Sequence, residues 1–383
     1  MPMQNSSDVL IATAIEYLKG VTDQTQRGRL VLAWMKKGGL VVTGAQGITT
    51  QKQIQIKQVQ GQTYSPGQMH ALTQANLYRK ATFTNEVLYA ADTLDAVDIA
   101  QNGGNTQLID VYRERMPQVA MAIKNNLGRS LYADNTVSGN EKLFTGVGSI
   151  CKQDTSVAVT AADKVAIPSP TYAGLSTVPG PGGFGGSWST GMTTKPNAAF
   201  GYDWPSGQGT SEFDAWTPKL FNEVSTSWGS TGDTWQENCL AILTLGAGWI
   251  SQTAGEDKLP KIAITSAERV WEMKEKLRLA SRYLLPHQPS ADMGFPDAVQ
   301  YEGLVVDKDF DCPASRTYLF NPSSMMLHLH GSPPQFESYE AGMFFGVGPI
   351  QVPASGAYSF QVWALGNYRY NPKHLACISD FHT

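Results

Sequence analysis

The segment from Gly44 to Asn85 constrains the fold most, because it reads as a ribbon that cannot hold itself together in water. It is rich in Gln and Thr, contains no Asp or Glu, and carries Lys52, Lys57, Arg79 and Lys80. Polar and apolar side chains alternate at Gln53-Ile54-Gln55-Ile56-Lys57, and again at Leu77, Arg79, Ala81 and Phe83. A turn-rich stretch from Gly61 to Gly67, with Pro66, separates the two runs. Two alternating runs joined by turn residues predict a long β-hairpin over about 47–87. A lone two-stranded ribbon is marginal in water, and this one is thinly hydrophobic. It therefore contributes little to its own domain's core and has to lie on another surface; the alternative is a solvated insertion.

Helices flank the hairpin. Asp8 and the serines before it cap a first helix with Leu10, Ile11, Ala14, Ile15 and Leu18 on one face. Leu30, Val31, Trp34 and Met35 belong to a second, stopped by Lys36-Lys37-Gly38-Gly39. The clearest helix spans about Asn105 to Tyr132, where Leu108, Tyr112, Met116, Val119, Ile123, Leu127 and Leu131 form one apolar stripe. Pro117 lies inside it and removes the bond to Arg113, so a bend or a split is expected there.

The stretch from Ile167 to Trp216, with Gly180-Pro181-Gly182-Gly183-Phe184-Gly185-Gly186, reads as long loop. Thr234-Trp235-Gln236-Glu237 is a capping box for a helix to about Ser251, and Thr265-Ser266-Ala267-Glu268 is another, opening a helix with Val270, Met273, Leu277, Ala280 and Leu284 on one face. Strands are expected at Lys261–Ile264, Leu304–Val306, Tyr318–Phe320, Met325–Leu329 and Tyr358–Leu365. Strands and helices mixed without βαβ regularity indicate an α+β fold.

Charged residues make up 16% of the chain and hydrophobic ones 42%, with a net charge of -4. The balance fits a globular chain that covers much of its outside with protein, and it offers no global basic field for nucleic acid. Cys151, Cys239, Cys312 and Cys377 are scattered, which argues against a zinc site or a dense disulfide framework and for buried, reduced thiols. Met1 to Asp8 lacks a basic leader and an apolar core, and no apolar run approaches the ~20 residues of a membrane span. A soluble protein made in a cytoplasm is expected.

Sites for chemistry are weak. The glycine run at Gly180 lacks the strand, helix and Lys-Ser/Thr of a phosphate cradle. His328 and His330 share a strand face, but no third ligand is near in sequence. Asp307 and Asp309 flank a turn and read as turn chemistry. Trp188, Trp204, Trp216, Trp228, Trp235 and Trp249 lack interleaved basic residues, so core and interface packing accounts for them better than base or sugar stacking. No catalytic, cofactor or metal residues are assigned.

The order of parts resembles the major capsid proteins of tailed bacteriophages, whose fold is named after the Hong Kong ninety-seven phage. The matching residues begin at Leu32-Ala33-Trp34-Met35-Lys36-Lys37-Gly38-Gly39 before the hairpin. They continue at Ile109 to Asp134, ending Leu131-Tyr132-Ala133-Asp134, and at Phe144-Thr145-Gly146-Val147-Gly148. Further matches are Leu259 to Thr265, Ser281-Arg282-Tyr283, Tyr301 to Asp307, Cys312-Pro313, Tyr318 to Pro322, and Gly366 to Ile378. The resemblance spans nearly the whole chain, and the fixed order of its motifs carries it.

The resemblance implies an N-terminal arm at 1–45, an extended loop at 46–87, a peripheral domain with a spine helix at 88–150, an axial domain at 151–350, and a return strand of the peripheral domain at 351–383. It implies a virion shell subunit, assembled in the bacterial host cytoplasm into hexamers and pentamers that enclose double-stranded DNA. No enzymatic activity, cofactor or membrane is implied. Partners would be copies of the chain itself, portal and decoration proteins, and packaged DNA held without sequence preference. Only about 45 residues precede the hairpin, so any scaffolding protein is expected to be separate. Some relatives join a loop lysine to a neighbour's asparagine with a glutamate as base; Asn321 and Asn367 are the candidate asparagines, but no motif fixes a trio.

In this family each extended loop lies over a neighbouring subunit. Lys52, Lys57, Arg79 and Lys80 then need an acidic partner, and Glu86, Asp92, Asp95, Asp98, Asp110 and Glu114 lie just beyond the hairpin. If a neighbour presents these, attraction sets register, although each exposed pair contributes only about 0.2–1 kcal/mol. The rival expectations are an encapsulin shell of the same fold, a tail or baseplate protein, and a secreted carbohydrate-active protein. The last would need a signal peptide and a carboxylate pair.

Overall fold

The computed structural model describes residues 30–45, 47–55, 77–95, 97, 105–156, 158–169, 171–178, 215–229, 232–254, 259–279, 298–331, 337–339, 343–351 and 357–382. The helix expected at Leu10 to Leu18 and the glycine run at Gly180 lie outside them.

Helix α1 (Leu30–Lys37) buries Val31, Leu32, Trp34 and Met35 and stops where Gly39 turns left-handed, at φ 67°. Strand β1 (Val41–Ala45) follows, then β2 (Thr49–Gln55) and β3 (Tyr78–Thr84), which pair antiparallel with Lys52 opposite Ala81 and Ile54 opposite Arg79. β4 (Glu86–Asp95) leads to α2 (Asn105–Tyr132), 28 residues long. α2 runs unbroken through Pro117, so of the expected bend or split the split does not occur. A proline removes one bond from the ladder, and the stripe of Val119, Ile123, Leu127 and Leu131, all buried, holds the helix beyond it in the core.

The short helix α3 (Val147–Ile150) lies against the end of α2. The approach needs glycine: a Cβ on Gly146 would sit 2.3 Å from Ser130 O and 2.5 Å from Ala133 O, and one on Gly148 2.4 Å from Tyr132 O. Strands β5 (Val165–Ala166), β6 (Thr171–Tyr172) and β7 (Leu175–Ser176) come next, so the stretch expected to be loop contains a small β6–β7 hairpin. β8 (Lys219–Asn222), α4 (Trp235–Ala254), β9 (Ile262–Thr265) and α5 (Ala267–Leu279) follow. The cap of α5 is Ser266, whose Oγ accepts from Arg269 N at 3.4 Å; the Thr265 hydroxyl instead lies 2.8 Å from Thr317 Oγ1 in the sheet.

The remaining strands are β10 (Val299–Tyr301), β11 (Leu304–Lys308), β12 (Arg316–Phe320), β13 (Met325–His330), β14 (Glu337–Tyr339), β15 (Phe344–Gln351), β16 (Ala357–Tyr370) and β17 (Leu375–Ser379). They build an α+β fold around two large sheets. In the six-stranded sheet, β16 pairs with β4 along residues 357–366, with β15 in its first half and with β13 in its last residues; β1 adds parallel to β13. One face of β16, with Phe360, Val362, Ala364, Tyr368 and Tyr370, is buried, and Tyr368 Oη donates to Leu127 O of α2 at 2.9 Å. The seven-stranded sheet runs β10-β11-β9-β12-β17-β8-β5. Its core joins Phe221, Leu319 and Ile378 to Trp235, Ile242, Val270 and Met273 of α4 and α5. There Arg269 Nη2 meets Glu223 Oε1 at 2.6 Å, both side chains buried; burial pushes the Glu223 carboxyl up, and Arg269 pulls it back.

Sheet membership departs from the expected division at 350. β13, β14 and β15 fall in the six-stranded sheet with α2, and the final strand β17 lies in the seven-stranded one. Asp309 is likewise more than a turn residue. It is buried and accepts from Tyr132 Oη at 2.9 Å, tying the end of α2 to the loop after β11. The described cysteines are all free and buried. Trp216, Trp228 and Trp235 are core residues, while Trp188 and Trp204 lie outside the described residues.

Candidate assembly interface

The expected ribbon forms, but its two ends behave differently. Residues directly opposite one another share a face, so Thr50, Lys52 and Ile54 face the same way as Arg79, Ala81 and Phe83. Ala81 and Phe83 are buried at 0% and 5% exposure. The Phe83 ring meets Tyr172 edge-on at 5.8 Å and lies 5.4 Å from the Arg369 guanidinium, and Thr82 N donates to Ala173 O at 2.9 Å. The root of the hairpin is therefore core, which corrects the expectation that the whole ribbon contributes little to its domain. The reason is Phe83: an aromatic ring on the penultimate residue of β3 seats the root. Toward the tip Tyr78, Arg79 and Lys80 are all exposed.

The expected basic residues do not form one stripe. Lys52 and Arg79 lie on the seated face and Lys80 on the opposite one, beside the exposed Tyr78. Lys57 is outside the described residues. The acidic candidates also divide. Glu86 is half-buried at the start of β4, where burial raises its carboxyl above the ordinary value. It lines a pocket of about 320 Å³ with Thr82, Thr84, Asn135, Thr145 and Tyr172. Asp92 is half-buried and accepts from Thr93 N at 2.8 Å; Asp95 is exposed and accepts from Val97 N at 3.1 Å. Asp110 and Glu114 fall in the first half of α2, and Asp98 is outside the described residues. Among these candidates Asp95 is the described carboxylate most open to another chain.

Both asparagines have structural roles. Asn367 Nδ2 donates to Thr84 O at 2.7 Å and Thr145 Oγ1 at 3.0 Å, while its Oδ1 accepts from Thr145 N and Tyr368 N, each at 2.8 Å. Asn321 Nδ2 donates to Leu259 O at 2.6 Å, and its Oδ1 accepts from Ser323 N at 2.9 Å.

No local sequence pattern marked the outer face of the six-stranded sheet. Val42, Met326, Val87, Tyr89 and Ile350 are paired in register with His328, Arg369, Leu365, Trp363 and Ser359, which places them all on the face turned away from α2. Each is between 38% and 48% exposed. The rings of Tyr89 and Trp363 meet across the strands, their centroids 4.6 Å apart and their planes tilted by 55°. His328 and His330 share this face, and His330 Nε2 lies 3.1 Å from Asn85 Nδ2. No group of three metal-ligating side chains occurs among the described residues, nor is any described helix long and apolar enough to cross a membrane.

No family model and no curated protein matches the sequence. Solved structures do. The capsid asymmetric unit of cyanophage A-1(L) aligns over 96% of this chain and 97% of that chain, at 12% identity and a TM-score of 0.56. The chain has the fold of phage capsid proteins. The capsid of an empty GTA particle aligns over 96% of this chain and 94% of its own, at 10% identity and a TM-score of 0.49. An encapsulin of Synechococcus elongatus aligns over 97% and 95%, at 9% identity and a TM-score of 0.48.

Proposed function

We propose that this chain is the major capsid protein of a tailed phage, a structural and non-catalytic subunit that assembles through copies of itself. Hexamers and pentamers would close an icosahedral head around double-stranded DNA, with portal, decoration and separate scaffolding proteins as further partners. The observation that carries the proposal beyond fold is the outer sheet face. Val42, Met326, Val87, Tyr89 and Ile350 are half-exposed apolar side chains on one face of one sheet, and apolar side chains gathered on an exposed face mark interaction sites. The exposed, one-signed outer part of the β2–β3 hairpin supports the same proposal, since a charged ribbon gains most from a second surface. The test is negative-stain imaging and sedimentation of the purified full-length protein across salt concentrations, with and without a co-expressed scaffolding protein. Rings or closed shells are expected; a stable monomer under every condition overturns the proposal.

A further inference from the structure

A second feature lies where the hairpin root rests on the outer face of the sheet. The Nε and Nη2 atoms of Arg369 are buried there with no hydrogen-bond partner, and so is Thr50 Oγ1 on the seated face of β2. Nε and Nη2 form one edge of the guanidinium, the edge that grips a carboxylate or phosphate through two parallel bonds. Arg369 is half-buried, but donors sealed from water without an acceptor are costly, and no carboxylate faces this edge among the described residues. Tyr172 is the acidic group felt at Arg369, and burial keeps its hydroxyl protonated.

The neighbouring groups are basic as well. His328 lies one strand over, on β13, and feels both Arg369 from β16 and Lys52 from β2; His330 follows on its own strand. Burial first, then those two cations, hold the His328 imidazole down to about 4. Lys52 is exposed at the mouth of the seam, and the Phe83 ring flanks the guanidinium. Thr50, paired with Phe83 in the ribbon, together with Lys52 and His328 thus gathers near the donor edge, and no carboxylate among the described residues joins them.

We propose that the seam between the hairpin root and the outer sheet face binds a single oxyanion, gripped by the Nε–Nη2 edge of Arg369 and assisted by Lys52 and Thr50. Two sources share that chemistry: a carboxylate from a second copy of this chain, or a free phosphate. His328 is the built-in reporter, because an anion beside it relieves the two cations and lets its pKa climb.

The experiment is an NMR titration of the His328 ring in the full-length, unassembled chain, with and without inorganic phosphate. It is paired with electron cryomicroscopy of any shells formed in phosphate-free buffer. Saturating phosphate should raise the His328 pKa from about 4 by at least one unit. Arg369→Gln should abolish the response, and Arg369→Lys, which keeps the charge but not the edge, should weaken phosphate at least tenfold. The Lys variant also decides the matter if the Gln variant does not fold. A phosphate response with no protein group at Arg369 in shells assigns the site to the free ion. A neighbour's carboxylate within about 4 Å of the guanidinium assigns it to the second copy. The inference is overturned by a response that is equal in wild type and both variants. It is also overturned if phosphate has no effect and shells show no carboxylate at Arg369. The phosphate arm needs no particle, so its result stands apart from whether shells form, and without shells it decides alone.

Discussion

The hairpin divides into a seated root and a free outer part, so substitutions in the two should have opposite consequences. Phe83 is buried at 5% exposure between Tyr172 and Arg369. Removing a ring at such a site costs about 3–5 kcal/mol, so Phe83→Ala should lower the melting temperature of the isolated subunit. Reversing Lys52, Lys57, Arg79 and Lys80 together to glutamate should leave that melt almost unchanged, because Lys52, Arg79 and Lys80 are exposed. Each reversal turns an attraction of about 0.2–1 kcal/mol into a comparable repulsion. Over four residues that amounts to roughly 1.6–8 kcal/mol per docked loop, at least a ~15-fold loss of contact strength. Circular dichroism melts would report folding, and sedimentation velocity with negative-stain imaging would report assembly. The expected result is a folded quadruple variant that fails to close shells. Normal assembly, or failure to fold, would refute the division of the ribbon into root and clamp.

Gly146→Ala should destabilise the subunit by about 3 kcal/mol, roughly 4 °C in the melting midpoint for a chain of this length, because the added carbon meets the backbone oxygens of Ser130 in α2 at 2.3 Å and of Ala133 just beyond it at 2.5 Å; an unchanged melt would show that α3 can retreat. Boiled particles should run as a single band near 41.6 kDa in a denaturing gel, since Asn321 and Asn367 are engaged at both ends of their amides, and a ladder would contradict this. His328 should give the subunit an acid-sensitive term. Its folded pKa of about 4 lies below its ordinary 6.5, so this contribution is fully present above pH 6.5 and is lost as pH falls toward 4. At a half-buried site screened by solvent the term amounts to about 1–2 kcal/mol. His328→Gln should flatten that limb of a stability-against-pH curve, and an unaltered curve would exclude the linkage.

The parts legible in the sequence were those with one clean period or one strong punctuation mark. The apolar stripe from Val119 to Leu131 marked α2, Lys36-Lys37-Gly38-Gly39 stopped α1, and the alternation around Ile54 and Ala81 marked β2 and β3. β4 escaped because Val87, Leu88, Tyr89 and Ala90 are apolar on both faces and show no period. β15 escaped because Gly346, Gly348 and Pro349 read as loop, although a register shift between Val347 and Ile350 accommodates them. The burial of Asp309 and the orphaned edge of Arg369 depend on partners far away in sequence, and no local pattern marks either. The charges of the hairpin were legible; their division between two faces needed the register.

Under the proposed function, the outer sheet face and the basic hairpin would contribute to assembly in different ways. Fully burying a large apolar side chain yields about 1.5–3 kcal/mol. Val42, Met326, Val87, Tyr89 and Ile350 have already lost about half of their exposure, so covering the rest yields roughly 3–6 kcal/mol per subunit. That matches or exceeds the roughly 0.8–4 kcal/mol of attraction from four loop charges, and it does not depend on salt. Charge acts over a Debye length of about 8 Å at physiological ionic strength and about 3 Å at 1 M, so it governs encounter and register. The apolar face acts only at contact and governs how long the contact lasts. A coat built from both can be steered into register while its contacts are still weak, and it need not fall apart when salt later removes the steering.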